Sequence, residues 1–213
     1  WSPDGKHIAY ISDASGEDEI YMIKQDGTGK PVQLTSGQEE YKFAFDWSPD
    51  SKKILWNDQL MRLQYVDIES KEVVLVEKAE AGNIYSYNWS PDSKWITYAR
   101  AEKEGMTRVY LYNTETKSKT AVTDGWYRST RPTFSQDGKY LVFSSDRDFN
   151  PIYSRTEWNH AYRDMSKIYL VNLEKSTPSP IAPKNDEVQT SEESKEEEKK
   201  EKKEPVKVKI DLD

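Results

Sequence analysis

One hexapeptide, Trp1-Ser2-Pro3-Asp4-Gly5-Lys6, returns along the chain, and this repetition constrains the fold more than any other feature. It recurs as Trp47-Ser48-Pro49-Asp50-Ser51-Lys52, as Trp89-Ser90-Pro91-Asp92-Ser93-Lys94 and, altered, as Phe134-Ser135-Gln136-Asp137-Gly138-Lys139. The copies are spaced by roughly 42 to 46 residues, the period of repeats that form the blades of a β-propeller. Serine opens each turn, proline presets φ at the second position, and Asp and Gly suit the third and fourth.

Strand patterns follow each turn. Ile8 and Tyr10 match Ile54 and Trp56, then Ile96 and Tyr98, then Leu141 and Phe143; apolar residues two apart lie on one face of a strand. A second strand is predicted at 20–23, 63–66, 109–112 and 168–171, and a third at 32–35, 73–76 and 120–123. The fourth runs into the next motif, over 41–47, 85–89 and 130–134. By analogy with WD-type propellers, this last strand is the innermost. The motif Trp side chains, with Phe43 and Phe45, then fill the core between blades. The expected fold is all-β: about four four-stranded blades of a larger, seven-bladed ring, cut at both ends. The blades span 1–186, a Glu/Lys-rich linker 187–204, and the start of a following strand 205–213.

Composition agrees with a folded part joined to a charged one. Only 35% of the 213 residues are hydrophobic and 32% are charged, yet aromatics reach 12%. Between Ser191 and Glu204 the chain is almost entirely Glu and Lys, which cannot bury apolar surface and reads as a disordered linker. The net charge of −7 argues against nucleic acid as a partner. No apolar run reaches the length of a membrane span. With no cysteine, disulfides and thiol chemistry are excluded.

The fourth blade departs from the repeat. Residues 147–165 are inserted between the strand at 141–143 and the strand at 168–171, on the side of the blade-crossing loops near Gly37, Ala81 and Gly125. Arg147, Arg155, Trp158, Asn159, His160, Tyr162 and Arg163 lie in this insertion and are the candidate residues of a substrate path or domain contact. A catalytic site is not expected. The two histidines are His7, read as solvent-facing, and His160, and there is no Gly-x-Ser-x-Gly elbow, His-Glu-x-x-His or phosphate loop. Asp13, Asp58 and Asp146 recur just past a strand and are read as turn formers rather than metal ligands. No cofactor is expected.

The repeated Trp-Ser-Pro-Asp-Gly-Lys-x-Ile-Ala-Tyr pattern resembles the propeller repeats of the Tol-system periplasmic propeller, of tricorn protease and of prolyl-oligopeptidase-like enzymes. Residues 156–165, with Ile168-Tyr169-Leu170-Val171, Pro178-Ser179-Pro180 and Val208-Lys209-Ile210-Asp211-Leu212-Asp213, are similar to the second propeller of bacterial tricorn-type proteases. That resemblance implies a parent serine peptidase, a homo-oligomer whose catalytic domain lies beyond residue 213. These blades would filter or guide peptides and unfolded polypeptide toward it, in contact with the remaining blades. It implies the cytoplasm, with the periplasm left open because the chain does not begin with Met. The alternative is a protein-binding propeller of the Tol-system type without peptidase activity.

Overall fold

Each motif copy forms a tight turn, which leads into β1 in the first copy and joins two neighbouring strands in the other three. The computed structural model describes residues 1–37, 40–148, 151–153, 160–162, 164–183 and 205–212, and among these all regular structure is antiparallel β. Blade I holds β1 (His7–Ser12), β2 (Glu19–Lys24) and β3 (Val32–Gln33). Blade II holds β4 (Lys42–Trp47), β5 (Lys53–Asp58), β6 (Arg62–Asp67) and β7 (Val73–Lys78). Blade III holds β8 (Ser86–Trp89), β9 (Trp95–Ala101), β10 (Thr107–Asn113) and β11 (Lys119–Ala121). Blade IV holds β12 (Ser129–Phe134), β13 (Tyr140–Ser145) and β16 (Lys167–Asn172); the insertion contributes a hairpin of β14 (Pro151–Tyr153) and β15 (His160–Tyr162). In each sheet the strands lie in chain order, so each blade is a meander.

The motif builds the same turn four times. In blade II the Ser48 hydroxyl donates to Asp50 Oδ1 at 2.6 Å and accepts the Lys53 amide at 2.8 Å, while the Lys52 amide donates to Asp50 Oδ1 at 3.0 Å. Ser2/Asp4, Ser90/Asp92 and Ser135/Asp137 repeat this arrangement. The fifth motif position has positive φ in every copy: 72° at Gly5, 61° at Ser51, 61° at Ser93 and 69° at Gly138. A short polar residue or glycine is what that left-handed geometry accommodates.

Strand alternation deals the side chains into separate interfaces. In blade II, Ile54, Trp56 and Val66 join Ala9, Ile20, Leu34 and Trp47 between blades I and II. The residues between them, Leu55, Leu63 and Tyr65, join Trp89, Ile96, Tyr98, Tyr110 and Tyr112 between blades II and III. Blade III divides likewise: Trp95, Val109 and Leu111 turn to Phe134, Leu141 and Phe143 of blade IV. The motif aromatics Trp47, Trp89 and Phe134 are therefore buried core, as expected, whereas Trp1, at the leading edge of blade I, is 71% exposed.

Blades II and III have the four expected strands, and blades I and IV have three each among the described residues. Residues 205–212, where the pattern predicts a strand, carry no ladder pairing. They lie against blades III and IV: the Asp211 amide donates to the Leu173 carbonyl at 2.8 Å, and Val208 is buried in the core between those blades. The linker 187–204 falls outside the described residues.

Candidate functional site

An inner strand ends at its motif turn and begins at the opposite end of the blade. That opposite end is shared with the insertion, because Lys42 pairs with Asp58 and Ser129 with Ser145, the residue that closes β13 before residues 147–165. Four large aromatics stand open there: Tyr41, Tyr85, Trp126 and Tyr127. Tyr41 meets Phe43 edge-on at 5.4 Å, and Phe43 meets Tyr85 at 5.8 Å, so one aromatic row crosses from blade II to blade III. Beside Tyr85 a cleft of about 310 Å³ opens between blades III and IV, lined by Ser86, Arg128, Arg131, Ser144 and Ser166.

The candidate residues of the insertion divide sharply. Arg147 is placed: its guanidinium stacks over Tyr169 at 5.3 Å and over Tyr127 and Phe143 at 5.9 Å, and its Nε donates to Ser145 Oγ at 3.2 Å. Arg147 thus ties the base of the insertion to the exposed Tyr127. His160 and Tyr162 lie on β15, opposite Tyr153 and Pro151. Arg155, Trp158, Asn159 and Arg163 lie outside the described residues.

Charged clusters support this end of the blades from beneath. Between blades I and II, Lys42 Nζ pairs with Glu19 Oε2 at 3.1 Å with both side chains out of water, and it also donates to the Asp18 carbonyl. The Glu19 carboxylate accepts the Thr35 hydroxyl, whose oxygen in turn accepts the Ile20 amide. In blade II the buried Asp58 accepts the Leu60 and Arg62 amides, Arg62 Nε at 2.7 Å and Gln64 Nε2 at 3.0 Å. Asp58 is therefore a turn former, as read from the sequence. Between blades II and III, Glu77 accepts the Tyr98 hydroxyl at 2.8 Å, Arg100 at 3.0 Å and Lys119 at 3.2 Å. Burial, with the Glu77 carboxylate beside it, pushes the Tyr98 phenol far above its ordinary value. Burial raises Glu102 as well, but hydrogen bonds from Tyr110 and Arg100 outweigh it and hold that carboxyl below its usual value.

These carboxylates are committed to neighbours within the fold, so they are not poised as free acids or bases. His7 is half-buried in β1, next to the motif turn and thus at the far end from the aromatic row. Among the described residues no three His, Asp or Glu side chains gather into a metal-sized site, and no helix is long and apolar enough to cross a membrane. What this end offers is contact area: aromatic faces, a cationic cleft and an inserted hairpin. Sequence reasoning centred on the insertion and read Tyr41 and Tyr85 only as strand starts. The signal was present, since an aromatic stands four to seven residues ahead of a motif copy at Tyr41, Tyr85 and Tyr127.

Antiparallel meanders laid face to face in chain order, each inner strand running into a Trp-Ser-Pro-Asp-type turn, define this chain as a set of β-propeller blades. The profile of the tricorn protease second β-propeller domain matches residues 1–213, and the chain belongs to that family. Tricorn protease homolog 1 of Streptomyces coelicolor is 27% identical over 184 residues, covering 84% of this chain and 17% of the relative. A tricorn protease homolog of Saccharolobus solfataricus is 26% identical over 157 residues, covering 74% of this chain and 14% of the relative. The crystal structure of the tricorn protease superposes with a TM-score of 0.75 at 22% identity, over 82% of this chain and 18% of that one. A putative TolB from Agrobacterium tumefaciens superposes with a TM-score of 0.53 at 25% identity, over 81% and 59%. The chain thus spans less than a fifth of the length of these tricorn relatives.

Proposed function

We propose that these blades are a non-catalytic part of a cytoplasmic, homo-oligomeric serine-type peptidase, and that they receive extended peptides and guide them to a catalytic domain elsewhere in the parent protein. The observation that carries this reading is the row Tyr41–Phe43–Tyr85, together with the exposed Trp126 and Tyr127 at the same end of the blades as the insertion. Rigid aromatic faces give contact area to many side-chain types at low entropic cost, which suits a surface that must accept varied sequences. Further blades of the parent would complete the ring and turn this surface inward. Family membership supports a peptidase parent.

The test is peptide binding to the chain, followed by the anisotropy of a dye-labelled unstructured peptide rich in Leu and Phe. Binding should weaken about tenfold in a Tyr41→Ala, Tyr85→Ala double variant, because each aromatic contact is worth roughly 0.5–1.5 kcal/mol. A folded globular protein should not compete. Failure of the peptide to bind, together with saturable binding of a folded protein at this end, would overturn the guiding role in favour of a protein-docking propeller.

A further inference from the structure

The four motif turns are alike, but their fifth residue is not, and the difference has a mechanical consequence. Where it is serine, it links neighbouring blades: Ser51 Oγ accepts the Asp4 amide at 3.0 Å, and Ser93 Oγ accepts the Asp50 amide at 3.0 Å. The turns of blades I, II and III are thus stapled in series. At the third interface the series stops, because Gly138 has no hydroxyl to offer the turn of blade III. Residues 205–212 lie there instead. The Val208 amide donates to Asp92 Oδ2 at 2.9 Å, and Val208 enters the core beside Trp95, Phe134 and Leu141. Ile210 packs against the same cluster. Asp211 closes the far side, its carboxylate accepting the Lys175 amide at 2.8 Å.

Gly138 makes room for this passage. A Cβ there would stand 2.8 Å from Val208 Cγ2 and 2.9 Å from Val206 Cγ1. Both are closer than carbon atoms approach without displacement. The φ of 69° alone does not require glycine, since Ser51 and Ser93 hold the same conformation at 61°. At Gly138, unlike at Gly5, a side chain would collide with the segment that crosses the turn.

We propose that the slot over Gly138 is a docking site for an extended, alternately aliphatic segment, and that Val206-Lys207-Val208-Lys209-Ile210 occupies it in cis as a clasp fastening blade IV to blade III. The clasp takes the place of the serine staple used at the two preceding interfaces. It stands at the motif-turn end, away from the aromatic row, and does not depend on the peptide-guiding role. Because residues 205–212 follow the Glu/Lys-rich run, the clasp also fixes where that run returns to the blades. The side-chain pattern sets the specificity: aliphatic residues alternate inward over Gly138, an amide must reach Asp92, and an acidic residue must follow to meet the Lys175 amide.

Hydrogen exchange on the full chain tests the clasp first. Gly138→Ser should speed exchange at the Val208 amide about tenfold to a hundredfold and loosen β12, β13 and β16. Gly5→Ser, the same change in the same turn where nothing lies within 4 Å of a Cβ, should leave its blade unaltered. A second variant vacates the slot without touching it: Val206→Asp with Val208→Asp in the full chain. A synthetic peptide of residues 205–212 added in trans should restore the thermal midpoint of that variant, and should fail to do so once Gly138→Ser is also present. Equal effects of Gly138→Ser and Gly5→Ser, or rescue by the peptide that ignores Gly138→Ser, would overturn the proposal.

Discussion

Trp89 and Trp1 hold the same motif position in opposite environments, and comparing them tests the packing scheme directly. Trp89 is 4% exposed and meets the Tyr65 ring edge-on at 6.0 Å between blades II and III; Trp1 is 71% exposed. A tryptophan buries about 150–250 Å². At about 25 cal/mol per Å² this corresponds to roughly 4–6 kcal/mol of transfer free energy. Alanine retains part of that burial and the cavity relaxes partly, so Trp89→Ala should cost about 3–5 kcal/mol. Trp1→Ala removes a side chain already in water and should stay within about 0.5 kcal/mol. Trp89→Phe adds a finer test. The Trp89 indole Nε1 is buried with no hydrogen-bond partner, so phenylalanine loses volume but also removes an unpaired donor. That change should cost markedly less than alanine, about 1–2 kcal/mol. Urea unfolding followed by far-ultraviolet circular dichroism gives all three values. Equal midpoints for Trp1→Ala and Trp89→Ala would refute the assignment of motif aromatics to blade interfaces.

Asp58→Ala should destabilise the chain by about 3–5 kcal/mol, because it strands the Arg62 guanidinium and several amides that converge on one buried carboxylate; urea unfolding measures it. The Ser2 hydroxyl and the Lys6 amide lower the Asp4 carboxyl to about 2, and the Ser135 hydroxyl lowers Asp137 in the same way. A lowered folded-state value gives stability that is full above the unfolded value near about 4 and lost as pH falls through the folded value. The urea midpoint should therefore drop between about pH 4 and pH 2, and Asp4→Asn should reduce that slope. On β16, Ile168 is 80% exposed and shares a strand face with the exposed Leu170, so the chain should self-associate through this face, and Ile168→Lys should shift its sedimentation toward monomer. The chain alone should release no product from fluorogenic peptides, and cleavage that survives purification and disappears in His160→Ala would contradict a non-catalytic role.

The strand plan was legible because blade formation is a local matter. A fixed turn, then residues alternating between two faces, set β5, β6, β9 and β10 at their positions and predicted that Trp47 and Trp89 would be buried. What could not be read were the partners across blades. Nothing near Lys42 in the chain announces that it will be buried, since Glu19 stands 23 residues away and meets it only once two sheets are stacked. The row of exposed Tyr41 and Tyr85 around half-buried Phe43 was hidden for a related reason: aromatics at strand starts look the same whether they face a neighbour or water. The passage of residues 205–212 over Gly138 joins parts of the chain some seventy residues apart, and the glycine there does not announce it, because the uncrossed first turn has glycine at the same place, Gly5.

The buried charges also bear on how such an array can change over evolutionary time. If blades were held together by aliphatic packing alone, copies could be duplicated, deleted or shuffled, since one greasy face fits another. Here the junctions on both sides of blade II carry their own locks. Lys42 must find Glu19, and Glu77 must find Arg100, Tyr98 and Lys119. A blade copied into the wrong place would bury an ammonium or a carboxylate with no counterpart, at a cost of several kcal/mol. Blade II is therefore addressed on both sides, by a cation toward blade I and an anion toward blade III. A recombination event that transplanted it alone would be selected against at the step of folding, before function was ever at stake.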